Sequence, residues 1–275
     1  MSEKQSTVIE EYLLLLYHLR DAGEKLKSVT LAHRLKTKPP TVHATLQRMQ
    51  RDGLIKFDKK KEILFTNEGE RYAKDIAFRH NLAEYFLCNT LNIPWYEVHK
   101  HAHLLEHAMT PTVVEKLAKF LEYPEKCPHG NLMPGYSLPA GNFTLDNTPE
   151  NTFVEILMIS EELEDSEEIL HSLHQQNIIP GEKHKFVSKS NDLLTVSLEQ
   201  NKSKVIIPLH VASKIFVVEA WIEGYKISCK KCFHKLQPIR IIHKREKIIL
   251  NNYSDLSSEN NEYNRNFFLN LADKR

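Results

Sequence analysis

Apolar residues return every three or four positions through the first fifty residues. Val8, Tyr12, Leu15, Leu16 and Leu19 share one face of a helix running from Thr7, and Gly23 stops it. A second helix is expected over "SVTLAHRLK", entered by a capping-type Ser28 or Thr30, with Leu31, Ala32 and Leu35 on its inner side. A third starts at Pro39 and Pro40, where a missing N–H costs little, and carries the buried stripe Val42, Leu46 and Met49. Two short helices on a tight turn form a helix-turn-helix. The period then switches: "LIKFDKKKEILFT" places two β-prone runs around a polar turn at Asp58 to Lys61, the pattern of a winged hairpin.

Helical spacing resumes in "DIAFRHNLAEYFLCNTL" and in "WYEVHKHAHLLEHAM", Trp95 to Met109. It returns in "TVVEKLAKFL", with Thr110 and Pro111 as N-cap and first helical residue and Val113, Val114, Leu117, Ala118 and Leu121 as the stripe. "MPGYSLPAGNFTLDNTPEN" is rich in Pro, Gly and Asn and reads as a linker. Beyond it "TFVEILMISEE" is strand-like and "SEEILHSLHQQNIIPG" a short helix. "KHKFVSKS", "LLTVSLEQ" and "KSKVIIPLHVASKIFVV" are β-rich runs, which together predict a small barrel. The fold class expected is mainly α with β. A winged helix-turn-helix head occupies 1–75, a helical domain 76–142, a linker 143–150, a β-barrel domain 151–222 and an extension 223–275 whose polar, Asn-rich end is expected to be partly disordered.

Composition alters this picture little. The 275 residues are 41% hydrophobic and 27% charged with net charge +1, ordinary values for a globular chain of several domains. Near neutrality argues against a uniformly basic coat but leaves local patches open. The four cysteines, Cys88, Cys127, Cys229 and Cys232, form no disulfide framework, which fits a reducing compartment. Without a secretory signal pattern or a run near the ~20 apolar residues of a membrane span, a cytoplasmic protein with no membrane partner is expected.

Two constellations carry chemistry. Lys36, Lys38, Arg48, Arg51, Lys56, Lys59, Lys60 and Lys61 concentrate on the third helix and wing, where they can neutralise phosphates of double-stranded DNA. That helix would turn Lys38, Pro40, Thr41, His43, Ala44 and Thr45 towards a major groove. Bidentate Arg or Asn readers are missing from its start, so shape and methyl contacts should carry selectivity. The plain alternative is a solvated basic face on a protein-interaction winged helix.

The other constellation lies in Trp95 to Met109, with four histidines and two glutamates in fifteen residues. His99, His103, Glu106 and His107 fall at spacings of four, three and one, on one side of a helix, while His101 points elsewhere. His80 and Glu84 share a face in the preceding block. Imidazole and carboxylate suit Fe(II), Mn(II), Zn(II), Co(II) or Ni(II). A regulatory metal site, a catalytic one and ordinary surface histidines are all open at this point. "HLLEH" differs from the protease motif "HExxH", since Glu106 precedes the second histidine instead of following the first.

In chain order, "EEYL", "PPTVHATLQRMQRDGLI", "LFTNEGERYA", "RHNLAEYFL", "VHKHAHLLEHAM" and "CPHGNLMPG" resemble the diphtheria toxin repressor and manganese transport regulator family of metal-dependent transcriptional repressors, over residues 8–135. The resemblance implies a homodimer on operator DNA, activated by Fe(II) or Mn(II), and not an enzyme, while the nitrogen-rich donors make Zn(II), Co(II) and Ni(II) expected binders in vitro. It implies a regulatory site at Glu11, His103, Glu106 and His107, with His80 contributing in manganese-type members, and an ancillary site at His80, Glu84 and His99. It also brings Cys127 and His129 to the ancillary site, as in some longer members, although a buried cysteine in a helix-ending loop reads as well. The barrel resembles the SH3-like module shared with ferrous-transport accessory proteins, whose side chains reaching that site fall on Glu161 and Glu164. Acidic runs such as "SEELEDSEE" are otherwise simply solvated. Two positions depart from the family: residue 11 is Glu where members have Met or Asp, and residue 103 is His where they have Cys or Glu. Cys229, Cys232 and His234 in "SCKKCFHKL" lack the further pair that a closed zinc site needs. A metal-dependent hydrolase built on the His/Glu cluster and a metal-independent winged-helix regulator are the rival readings.

Overall fold

Helix α1 (Thr7–Asp21) packs Ile9, Leu13, Leu16 and Leu19 against α2 (Ser28–Arg34) and α3 (Pro39–Arg51) in a computed structural model that describes residues 6–220. Lys27 is the N-cap of α2 and no side chain caps it, so the expected hydroxyl cap from Ser28 or Thr30 does not form. Pro39 and Pro40 open α3, and Val42, Leu46 and Met49 close the head core. Strands β1 (Ile55–Phe57) and β2 (Ile63–Phe65) pair antiparallel. In their turn the Asp58 carboxylate accepts from the backbone N–H groups of Lys60 and Glu62, both at 2.8 Å, while Lys61 takes the left-handed φ of 60°.

Helix α4 (Asn67–Asn89) joins head to middle. Thr66 Oγ1 accepts from the Gly69 N–H at 3.0 Å, and Glu68 and Glu70 favour the positive end of the helix. The helix crosses the border expected at 75/76 without a break. Its first half gives Ala73, Ile76 and Ala77 to the head core, and its second half gives Phe78, Leu82, Ala83 and Leu87 to a second core. Helices α5 (Val98–Glu106) and α6 (Pro111–Phe120) complete that core with Val98, Ala102, Val114 and Ala118. Thr110 caps α6 as expected. Leu104 and Phe120, 76% and 67% exposed, face outward from these helices.

The C-terminal unit holds a six-stranded antiparallel sheet, in the order β3-β8-β4-β5-β6-β7. Its strands are β3 (Phe143–Thr144), β4 (Thr152–Ile159), β5 (Lys183–Ser190), β6 (Thr195–Gln200), β7 (Ser203–Pro208) and β8 (Ile215–Glu219). Short helices α7 (Glu161–Glu164), α8 (Glu167–Gln175) and α9 (Leu209–Ala212) cover it. The linker expected at 143–150 is part of this unit: Phe143 pairs with Val217, and Leu145 is fully buried in the core. The single β-rich run expected from 202 onwards is split at Pro208, which caps α9. Cys229, Cys232, His234 and the extension from 223 lie outside the described residues.

Three sets of contacts fasten this unit to the rest. Lys214 Nζ reaches Glu24 at 2.8 Å and Glu162 at 2.5 Å, and Arg34 reaches Glu162 at 2.6 Å, which connects α7 to the head. Trp95 and Tyr96 pack against the C-terminal core, the Trp95 ring 6.0 Å from that of His174 and Tyr96 edge-on to His171. Gly130, at φ +91°, brings the "CPHG" loop onto β4. A Cβ there would stand 2.2 Å from the Leu157 carbonyl oxygen, and the Ile159 N–H donates to the His129 carbonyl at 2.8 Å. Among the described residues no helix is long and apolar enough to cross a membrane.

Candidate metal centre

The inner faces of α4 and α5 meet α7 and the "CPHG" loop in a nest of buried ionisable groups. His80, Glu84 and Glu106 have no exposed surface, His129 has none, and Glu164 has 3%. Helical geometry explains the convergence: His80 and Glu84 are one turn apart on α4, and His99, His103 and Glu106 line the facing side of α5.

Four groups of donors come close enough to hold an ion, the donor atoms of each lying within 4.8 Å of one another. They are His80 with His99, Glu161 and Glu164; His80 with His103 and Glu106; Glu84 with Cys127 and His129; and His99 with His103 and Asp165. His80 Nδ1 lies 2.5 Å from Glu106, and its Nε2 lies 3.3 Å from Glu84 and 3.2 Å from Glu161. His129 donates from Nε2 to the Trp95 carbonyl at 3.0 Å, which turns Nδ1 towards Glu164 at 2.9 Å and Glu84 at 3.2 Å. Asn131 donates to Glu164 from the same loop.

Electrostatics match the crowding. Burial and the Glu164 carboxylate push Glu161 up to about 8, against the lowering pull of His80 and His99. Burial raises Glu106 too, but His80 and His103 outweigh it and hold the carboxyl at about 2. Burial and Glu84 lift the Cys127 thiol well above its usual range. Several buried atoms here have close ionisable neighbours but no well-aligned hydrogen bond: Glu106 Oε1, both Glu161 oxygens, Glu164 Oε2 and His80 Nε2. Buried polar atoms are rarely left so, and a set of carboxylate oxygens and imidazole nitrogens fits a divalent cation.

The expected regulatory set is assembled only in part. His103 Nδ1 and His107 Nε2 flank Glu106 Oε1 at 3.4 and 3.3 Å. Glu11 is exposed. It lines a cavity of about 270 Å³ with His99, His103 and Asp165. Its neighbour Glu10, which the spacing did not single out, is 5% exposed, 2.7 Å from His107 Nδ1 and 3.1 Å from Arg79. Arg79 also holds Asp75 at 2.7 Å and donates to the Glu106 carbonyl at 3.1 Å. The expected ancillary residues His80, Glu84 and His99 stand together with Glu161, Glu164, Cys127 and His129 around them. Two further residues, His18 and Asp165, also enter the nest. His18 of α1 lies 3.6 Å from Glu161, and burial lowers its imidazole to about 3. It follows Leu14 by one turn on the side of α1 facing the core, the signal available in the sequence.

On the head, Lys38, Pro40, Thr41, His43, Ala44, Arg48, Arg51, Lys59 and Lys60 are exposed and Thr45 is half-buried, its hydroxyl donating to the Thr41 carbonyl. Gln47 shares this face one turn after His43, with the side chains 3.0 Å apart, and was not among the expected residues.

The family model "Iron dependent repressor, N-terminal DNA binding domain" matches residues 4–63, and "Iron dependent repressor, metal binding and dimerisation domain" matches 66–135. The iron-dependent repressor IdeR of Mycobacterium leprae is 30% identical over 184 residues, which cover 62% of this chain and 80% of that protein. For the IdeR of Mycobacterium tuberculosis the figures are 36% over 126 residues, 46% of this chain and 55% of the relative. Among solved structures, the manganese regulator SloR superposes with a TM-score of 0.65 at 27% identity, over 77% of this chain and 98% of that one. The repressor ScaR with bound Zn2+ gives 0.66 at 25%, over 77% and 99%.

Proposed function

Because the chain belongs to the iron-dependent repressor family of the diphtheria toxin repressor type, we propose that it is a homodimeric DNA-binding repressor of iron or manganese homeostasis that works only with a divalent metal bound. It is a regulator and not an enzyme. A cytoplasmic location and an SH3-like form for the C-terminal sheet go with this reading.

The observation that carries it is the junction between α1 and α5. Glu10 of the head touches His107 of the middle domain, and Glu11 borders the cavity that His103 lines. His103, Glu106 and His107 would hold the regulatory ion, with Glu11 as the donor from the head. His80, Glu84, His99, Glu161 and Glu164 would hold the ancillary one, joined by Cys127 and His129. A divalent cation supplies a positive centre that gathers donors from separate elements. Glu11, as the donor from the head, would hold α1, and with it α3, at a fixed angle over the core. With Leu104 and Phe120 of two copies packed across a two-fold axis, both α3 helices present Pro40, Thr41, His43 and Ala44 to half-sites one or more helical turns apart. Arg48, Arg51, Lys38, Lys59 and Lys60 take the phosphates. Fe(II) or Mn(II) is the corepressor. The imidazole-rich donors also accept Zn(II), Co(II) and Ni(II) in vitro.

Metal and operator must favour each other by the same factor, about 5- to 150-fold for a typical coupling. An anaerobic mobility-shift titration with promoter DNA, run against each metal, tests this. Wild type should shift only with metal, and Glu106→Ala and His107→Ala should lose most of that dependence. Equal operator affinity in both variants and in chelator would instead favour a metal-independent winged-helix regulator.

A further inference from the structure

We infer that His18, on the DNA-binding head, is a positioning residue for Glu161, and that through this pair the ancillary ion, and not the regulatory ion alone, holds the head against the core. The inference rests on the ancillary set proposed above. His18 belongs to none of the four donor groups, so it is the partner of a ligand and not itself a ligand.

One carboxylate oxygen gathers three helices. Glu161 Oε1 lies 3.6 Å from His18 Nε2 of α1, 3.2 Å from His80 Nε2 of α4 and 3.7 Å from His99 Nδ1 of α5. His80 and His99 are imidazoles that the ion would share with Glu161, and His18 is the one left over. Its Nε2 is buried without a well-aligned hydrogen bond, as are both Glu161 oxygens. A carboxylate that ligates through one oxygen keeps lone pairs for an outer donor, and ligating carboxylates are usually held in that way. The cations nearest to α7 are already engaged, since Glu162 holds Lys214 at 2.5 Å and Arg34 at 2.6 Å. Asn131 is committed to Glu164 and to the Ile159 carbonyl. His18 faces Glu161 with an Nε2–H to give.

The contact has room to close. His18 and Glu161 are the two residues that line both the 270 Å³ cavity and a larger one of about 550 Å³ bordered by Tyr17, Tyr136, Met158 and Phe216, so they form the partition between the two. With space on either side neither side chain is wedged, and a closure of roughly 0.7 Å gives an ordinary N–H···O distance. The same short helix also meets α2 of the head, through Glu162 and Arg34. An ion that seats Glu161 therefore seats α1 with it.

The test is an anaerobic Co(II) titration of the full chain, followed by visible absorption, beside the operator mobility shift. Glu161→Ala marks which equivalent is ancillary. His18→Leu should bind as many ions as wild type, with that equivalent weakened roughly 10- to 100-fold, and should need correspondingly more Co(II) to shift operator. His18→Gln, which still offers an N–H to Glu161, should recover most of the affinity. In the Glu161→Ala background His18→Leu should change nothing further, a result that a general loosening of α1 would not give. Unchanged ancillary affinity in His18→Leu, or the same loss with and without Glu161, overturns the pairing. An operator shift at unchanged Co(II) overturns the link to the head. Wild type that takes up Co(II) without shifting operator removes the repressor reading instead, and the metal titration still decides whether His18 acts through Glu161.

Discussion

Glu161 is a carboxylate placed where its own charge is poorly tolerated. Burial and Glu164 raise it to about 8, so at neutral pH the metal-free protein keeps it mostly protonated. A folded pKa above the unfolded one means the native state holds the extra proton, and stability is lost as pH rises from about 4.5 towards 8. Metal-free Glu161→Gln should therefore melt higher than wild type at pH 8, with the gap closing towards pH 5. Scanning calorimetry across that range checks it, and a constant gap would contradict the assignment. A cation at the site must displace the same proton, so metal affinity falls with acidity. Glu106 has the opposite setting and stays ionised throughout, held at about 2 against burial by His80 and His103.

At the scale of elements, the "CPHG" loop is placed by backbone. Gly130 at φ +91° lies where a Cβ would meet the Leu157 carbonyl at 2.2 Å. Gly130→Ala should cost at least ~1–3 kcal/mol from the left-handed backbone alone, and shift His129 away from Glu84. A lower melting temperature together with weaker Zn(II) binding is the expected result, and unchanged Zn(II) affinity would refute the positional role. Elements with local signals were legible beforehand: the proline pair opening α3, Thr110 with Pro111 before α6, the polar turn of the wing. Elements made by distant pairing were not. Phe143 joins the sheet only because Val217 is beside it, and nothing near residue 143 announces this. The donor set shows the same limit. Spacing gathered His99, His103, Glu106 and His107 onto one face, but the rotation of α1 against α5 decides between Glu10 and Glu11, and one residue is 100° of helix. Asp165 follows α7 in a run that reads as solvated, and only docking of the C-terminal unit brings it to His99.

For the molecule as a whole, α4 is the common beam, giving one half of its length to the head core and the other to the middle core. Lys214, Glu24, Glu162 and Arg34 tie the C-terminal unit to the head independently of any ion. Such partly exposed pairs contribute about 0.2–1 kcal/mol each, enough to bias an orientation and too little to fix one. The contact of Glu10 with His107 and Arg79 has a larger role. It holds Nδ1 of the imidazole and leaves Nε2 directed at Glu106, the side on which the proposed regulatory ion would bind, so Glu10 would orient that donor. How firmly Glu10 grips thus decides the cellular concentration at which repression begins. Glu10→Gln should need more Mn(II) or Fe(II) than wild type in the same mobility-shift titration, turning a sensor that answers to scarcity into one tuned to plenty.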